Sequence, residues 1–197
     1  MKTADAAVRK AAILASARRL LVQRGYQDLT MDEVAHEAGV AKGTLFLYYK
    51  SKDDLFSAAF GELADQLGGR LDAIIAADLA GLAPLAETVR AILEHLDRNR
   101  DFMSHFGAGK FPACSQRSSD RLTDKFRENN RRVARILRTC ARGGVLKSGD
   151  FIYESAALFG LCRSAMMEKL MRGSDGPVAG QAEKVVRFFL HGAKGKS

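Results

Sequence analysis

Residues 30–52 read TMDEVAHEAGVAKGTLFLYYKSK. Thr30 precedes Glu33 by three positions, the spacing of a reciprocal capping box. In such a box hydroxyl and carboxylate each take up a free amide at a helix start. A short helix is expected from about Met31 to Ala38. Gly39 follows where the chain must turn, because a residue without Cβ enters the left-handed region freely. A second short helix is expected from about Lys42 to Tyr48. Ser51 is placed to cap a third, with Asp54 in its first turn.

Helix, glycine turn and helix make a helix-turn-helix. Ala35 falls where two helices cross closely and only a small side chain fits. Val34, Val40 and Leu45 are expected to point inward and fix the crossing angle. Lys42, Thr44, Leu47 and Tyr48 fall on the outward face of the second helix, within reach of base edges and phosphates. A glycine turn alone would suit an ordinary helical hairpin. Here the capping box, the small crossing residue, the turn glycine and a basic-aromatic exit occur together, which favours the helix-turn-helix.

The rest of the chain is consistent with that motif. Its 197 residues suffice for one or two domains with a sizeable core. Trp is absent and Pro occurs three times, while Ala, Leu and Arg are abundant and β-branched runs are missing, so the expected fold is all-α. The net charge of +8 favours polyanionic partners. Residues 1–52 hold nine Lys/Arg against five Asp/Glu, and residues 110–147 hold eleven against three. The second basic block is the larger and needs its own account. Cys114, Cys140 and Cys162 are far apart, odd in number and without metal-ligand spacing, so free thiols in a reducing cytoplasm are expected. The apolar run from Ala11 to Ala17 is cut short by Arg18 and Arg19, which argues against export or a membrane span.

In chain order, a first helix is expected from about Ala6 to Arg24, with Ile13, Leu14, Ala17, Leu20 and Leu21 on one face and Gly25 at its end. A helix from Lys52 carries Leu55, Phe56, Ala59, Phe60 and Leu63, and Gly68-Gly69 permits a bend in it. Pro84 opens a helix striped with Leu85, Val89, Ile92, Leu93 and Leu96. A short helix is expected over 101–107. A long one over about Ser119 to Arg142 buries Leu122, Phe126, Val133, Ile136, Leu137 and Cys140 between flanking arginines. Asp150 caps a helix to about Arg172 that is apolar over an arc wide enough to need two partners. A last helix carries Ala182, Val185, Val186, Phe189 and Leu190.

Gly25-Tyr26, Thr30, Val34-Ala35, Ala38-Gly39-Val40, Gly43-Thr44-Leu45-Phe46, Tyr48-Tyr49, Ser51-Lys52 and Leu55 together resemble the TetR/AcrR family of bacterial transcriptional regulators. The resemblance is specific over about Ile13 to Phe56. It implies an all-helical homodimer of about nine helices. Residues 1–52 would form a helix-turn-helix DNA-binding domain, a three-helix bundle, and residues 53–197 a ligand-binding and dimerisation domain. The DNA-binding residues it implies are Thr30, Lys42, Thr44, Leu47, Tyr48, Tyr49 and Lys52. Thr30 would cap its helix and touch a phosphate, and Lys52 would hold another. Phe46 stands where the family usually has Tyr, and Ala41 where Ser is frequent, which costs a phosphate-contacting hydroxyl and a helix cap.

The last two helices would form the dimer interface, with Ala156, Ala157, Gly160, Leu161, Ser164, Val185 and Phe189 in it. An apolar effector pocket would draw on Phe102, Met103, Phe106, Phe126, Cys140, Phe159, Cys162 and Met166, with plain core as the competing reading of each. The arginines of the long helix would either attract an anionic effector, such as a fatty acyl-CoA, or form a solvated face. The function implied is a cytoplasmic repressor that leaves a palindromic operator on double-stranded DNA when a small amphipathic or anionic effector binds. An activator of the same family and a non-specific nucleic-acid-binding protein are the alternatives. No catalytic constellation stands out, so no enzyme, cofactor or metal is expected.

Overall fold

The computed structural model describes residues 2–102, 116–147, 149–173 and 176–192. Its helices in chain order are α1 (Lys2–Asp28), α2 (Met31–Glu37), α3 (Lys42–Tyr48), α4 (Lys52–Ala76), α5 (Ala83–Arg98), α6 (Gln116–Arg142), α7 (Phe151–Met171), a 3-10 helix (Val178–Gln181) and α8 (Ala182–His191). No strand occurs among the described residues, so the fold is all-α as the composition implies. The helix expected over 101–107 is described only as far as Phe102. Met103, Phe106 and Cys114 lie outside the described residues. No helix among the described residues is long and apolar enough to cross a membrane.

The chain forms two compact units. One comprises Met1–Leu63 with Asp101–Lys125, the other Ala64–Arg100 with Phe126–Ser197.

The first unit is built on the apolar stripes read from the sequence. Ile13, Leu14, Ala17, Leu20 and Leu21 of α1 share one buried core with Leu55, Phe56, Ala59, Phe60 and Leu63 of α4 and with Val34, Ala35 and Leu45. Each large side chain so buried contributes roughly 1.5–3 kcal/mol. Aromatic rings extend the core. Tyr26 meets Phe56 edge-on at 5.1 Å, Phe56 lies 4.8 Å from Phe60, and Phe60 lies 4.5 Å from Phe102. Gly25 breaks the helical path of α1 with φ 79° and ψ 174°, at the position where the sequence puts the helix end. Arg18 pairs with Glu62, tying α1 to α4. A three-helix bundle of about fifty residues is small for independent stability, and α4 adds its apolar stripe to the same core.

The second unit packs α5 against α7, α8 and the 3-10 helix. Leu85, Val89, Ile92 and Leu93 of α5 are buried, together with Val133, Leu137 and Cys140 of α6 and Leu158, Cys162 and Met166 of α7. The Asp150 carboxylate accepts from the amides of Ile152 and Tyr153 at 3.1 Å each and so starts α7. α4 runs unbroken through Gly68-Gly69, without the bend that the pair permits. A Cβ on Gly68 would stand 3.0 Å from Asn129 Oδ1 and 3.3 Å from the Arg132 guanidinium, so this glycine serves close approach of α6. The apolar pattern of the sequence passes over Asn129, which is buried and donates from Nδ2 to the Ala64 carbonyl at 2.8 Å. Arg132 completes the joint with Asp72 and Glu128, both at 2.9 Å. His95 is buried on α5, and its imidazole is pushed down to about 4 by burial first and then by Arg98 and Arg70.

Candidate nucleic-acid interface

Local chemistry sets the angle between α2 and α3. The Glu33 amide donates to Thr30 Oγ1 at 3.2 Å, and the Thr30 amide donates to Glu33 Oε2 at 3.0 Å, which completes the capping box. The Thr30 hydroxyl also donates to that carboxylate at 2.8 Å. These Thr30 hydrogen bonds, and Arg24 alongside, hold the Glu33 carboxyl below its usual range. Ala38 ends α2, and Gly39 takes φ +64°. The Val40 amide then donates to the Ala35 carbonyl at 3.0 Å, closing the turn. Val34 and Leu45 are fully buried and Ala35 nearly so, while Val40 is half-buried against the same core. α3 starts at Ala41 without a side-chain cap, as the missing Ser implies. Its C-terminal turn is held by Lys50, whose ammonium donates to the Phe46 carbonyl at 3.0 Å, a contact the sequence reading did not anticipate.

The outward face of α3 carries Lys42, Gly43 and Leu47 exposed, with Thr44 and Tyr48 half-buried beside them. Leu47, at 76% exposure, is a large apolar side chain with no place in the core. A convex helix face with hydroxyls, an ammonium and one apolar side chain has the chemistry to contact phosphates and base edges in a major groove. The Lys42 ammonium pairs with Asp32 at 2.8 Å.

Two of the expected contact residues are placed differently. Tyr49 is only 5% exposed and its hydroxyl finds no hydrogen-bond partner among the described residues. Burial, followed by Glu62 and Tyr48, raises its phenol to about 12. Its ring therefore belongs to the core, because the chain leaves helical geometry at this residue and turns the side chain inward. Lys52 is half-buried. It donates to the carbonyls of Gln27 and Leu29, both at 3.0 Å, and sits 4.6 Å over the Tyr26 ring. The lysine expected to hold phosphate thus also ties the start of α4 to the end of α1.

The remaining candidates divide between core and surface. Phe102 is buried against Phe60 in the first unit. Cys140, Cys162 and Met166 are buried in the second, Phe159 is half-buried, and Phe126, on the face expected to be buried, is 45% exposed. Burial raises both thiols, that of Cys162 to about 12, so they stay protonated at neutral pH. Ala156, Ala157, Gly160 and Ser164 are exposed along α7, with Leu161 and Phe189 half-buried. Val185 is a correction: it is buried within its own chain, next to Val186, and cannot face a partner. Phe188, Ile152 and Tyr153 are exposed instead. The helical period that turns Val185 inward turns Phe188 outward. No cluster of metal-ligating side chains occurs among the described residues.

The chain matches the description "bacterial regulatory proteins, tetR family" over residues 13–59, which is α1 through the first part of α4. It is 35% identical over 86 residues to the uncharacterized HTH-type transcriptional regulator YhgD of Bacillus subtilis, covering 44% of this chain and 45% of that protein. It is 33% identical over 60 residues to the fatty acid metabolism regulator protein of the same organism, covering 30% and 31% respectively. The chain thus spans less than half the length of these two relatives. Among solved structures, the transcriptional regulator FadR of Bacillus subtilis in complex with stearoyl-CoA superposes with a TM-score of 0.81 at 19% identity, over 93% of this chain and 99% of that one. The capped α2, the glycine turn and the outward α3 thus lie within the stretch, residues 13–59, that this chain shares with the bacterial regulatory proteins of the tetR family.

Proposed function

We propose that this protein is a homodimeric, cytoplasmic repressor that binds a palindromic operator and releases it when an amphipathic, anionic effector binds. Residues 1–52 read DNA, and residues 53–197 hold the effector and the partner copy. The single observation that carries the reading is the exposed face of α3, held at a fixed angle by fully buried Val34 and Leu45. Two such faces related by a two-fold axis would enter successive major grooves about 34 Å apart. Thr30 and Lys52 are the residues proposed to meet phosphates on either side of that contact.

Dimerisation through α7 and α8 is supported by the exposed small residues Ala156, Ala157 and Gly160, which allow close helix approach, beside exposed Ile152 and Phe188. A fatty acyl thioester is the favoured effector class, because one relative is a fatty acid metabolism regulator and one structural neighbour holds stearoyl-CoA. Release requires that the effector bind the operator-incompetent arrangement more tightly, and affinity for DNA falls by that ratio. The test is operator binding with and without stearoyl-CoA. A drop of tenfold or more in affinity supports the proposal, and unchanged affinity at saturating effector contradicts release. Transcription measured beside the operator separates repression from activation.

A further inference from the structure

A groove of about 540 Å³ opens on the second unit, lined by Arg135, Arg138, Ala141 and Arg142 of α6 and by Phe151 at the start of α7. The three arginines recur at three and four along α6, so their side chains stand on one stripe. Their pairing differs from that of their neighbour. Arg132 is engaged by Asp72 and Glu128. Among the described residues no carboxylate pairs with Arg135, Arg138 or Arg142. Arg142 donates to the Thr139 hydroxyl at 3.2 Å, and Arg138 lies over the Phe151 ring at 5.7 Å. A helix C-terminus favours one cation in its last turn. It does not account for three spread over eight residues, which repel one another and share an aromatic wall.

Guanidinium groups in this arrangement suit clustered phosphates, which accept paired hydrogen bonds from the planar fork. Arginine methylenes, Ala141 and Phe151 supply an apolar floor beside the charge. We infer that this groove binds the diphosphate-bearing head of the effector, while an acyl chain is held elsewhere. The inference rests on the reading of the effector as an acyl thioester. The same phosphate chemistry is offered by a coenzyme A thioester and by a free nucleotide diphosphate, and the experiment separates them.

Full-length protein is titrated calorimetrically with stearoyl-CoA, stearate, coenzyme A and ADP. The same titrations follow on an Arg135→Ala/Arg138→Ala variant and on an Arg135→Lys/Arg138→Lys variant, each first checked for an unchanged thermal melt. The native chain is expected to bind stearoyl-CoA at least tenfold more tightly than stearate. The alanine variant should lose about 10–100-fold in stearoyl-CoA affinity, the loss of charge-assisted hydrogen bonds, with stearate affinity within threefold of native. The lysine variant should recover part of it, since charge is kept but the fork is lost. Stearoyl-CoA affinity that is the same in native and alanine variants overturns the groove and leaves the acyl-thioester reading standing. Coenzyme A or ADP binding as tightly as stearoyl-CoA, and lost in the alanine variant, upholds the groove and overturns the acyl reading. Binding of none of the four overturns both.

Discussion

The helix-turn-helix and the C-terminal half of α6 are the two basic regions of this molecule, and they handle their charge in opposite ways. In the first, cations are used internally. Arg24 pairs with Glu33, Arg19 with Glu37 and Lys42 with Asp32, while Lys52 is spent on two carbonyls and a ring. In the second, Arg135, Arg138 and Arg142 share a groove without a carboxylate partner among the described residues. The larger count of basic residues therefore does not coincide with the face proposed to bind DNA. What distinguishes that face is rigid presentation. Free anion-binding capacity collects where the fold leaves arginines unmatched.

The contrast is sharpened first by the core that holds α3. Leu45→Ala removes a fully buried side chain from a helix without a side-chain cap. It should cost about 2–5 kcal/mol in urea unfolding and weaken DNA binding with it. Acid tests the interior of the second unit at His95. The folded pKa of His95, about 4, lies below the free value of 6.5, so the unfolded chain binds the proton more readily. Stability is full above pH 6.5 and falls as pH drops towards 4, by roughly 3 kcal/mol, and His95→Gln should flatten that limb of a pH–stability curve.

Smaller effects separate used from unused cations. Lys52→Met strands the Gln27 and Leu29 carbonyls and should cost about 1–3 kcal/mol by chemical denaturation. Thr30→Ala removes the cap of α2 and should cost about 1 kcal/mol in the same assay. Arg135→Ala with Arg138→Ala should change stability by no more than about 0.5 kcal/mol, because neither charge has a carboxylate partner among the described residues. A loss of 2 kcal/mol or more there would erase the distinction between the two regions.

The helix-turn-helix was legible because its signals are local: cap, small residue, turn glycine and apolar stripe each act within one helical turn, and the structure realises all of them. Tyr49 was misread because the pattern of α3 does not reveal where the chain leaves helical geometry and turns that ring inward. Asn129 was missed because its burial depends on meeting the Ala64 carbonyl, a partner 65 residues away. Val185 was misplaced for a related reason: an amphipathic helix shows that it has a buried face, and only packing against α5 shows which residues fill it. The unpaired state of the α6 arginines was equally hidden, since pairing is a property of neighbours in space.

The central claim, that α3 reads a specific operator, is tested most directly by selecting binding sites for the full-length protein from random DNA and measuring affinity for the enriched site against scrambled DNA across salt concentration. The account predicts a palindrome with half-sites about one helical turn apart, preferred by ~10³-fold or more over scrambled DNA, with both affinities falling as salt rises. Failure to enrich any palindrome, with a preference near one at every salt concentration, would contradict it.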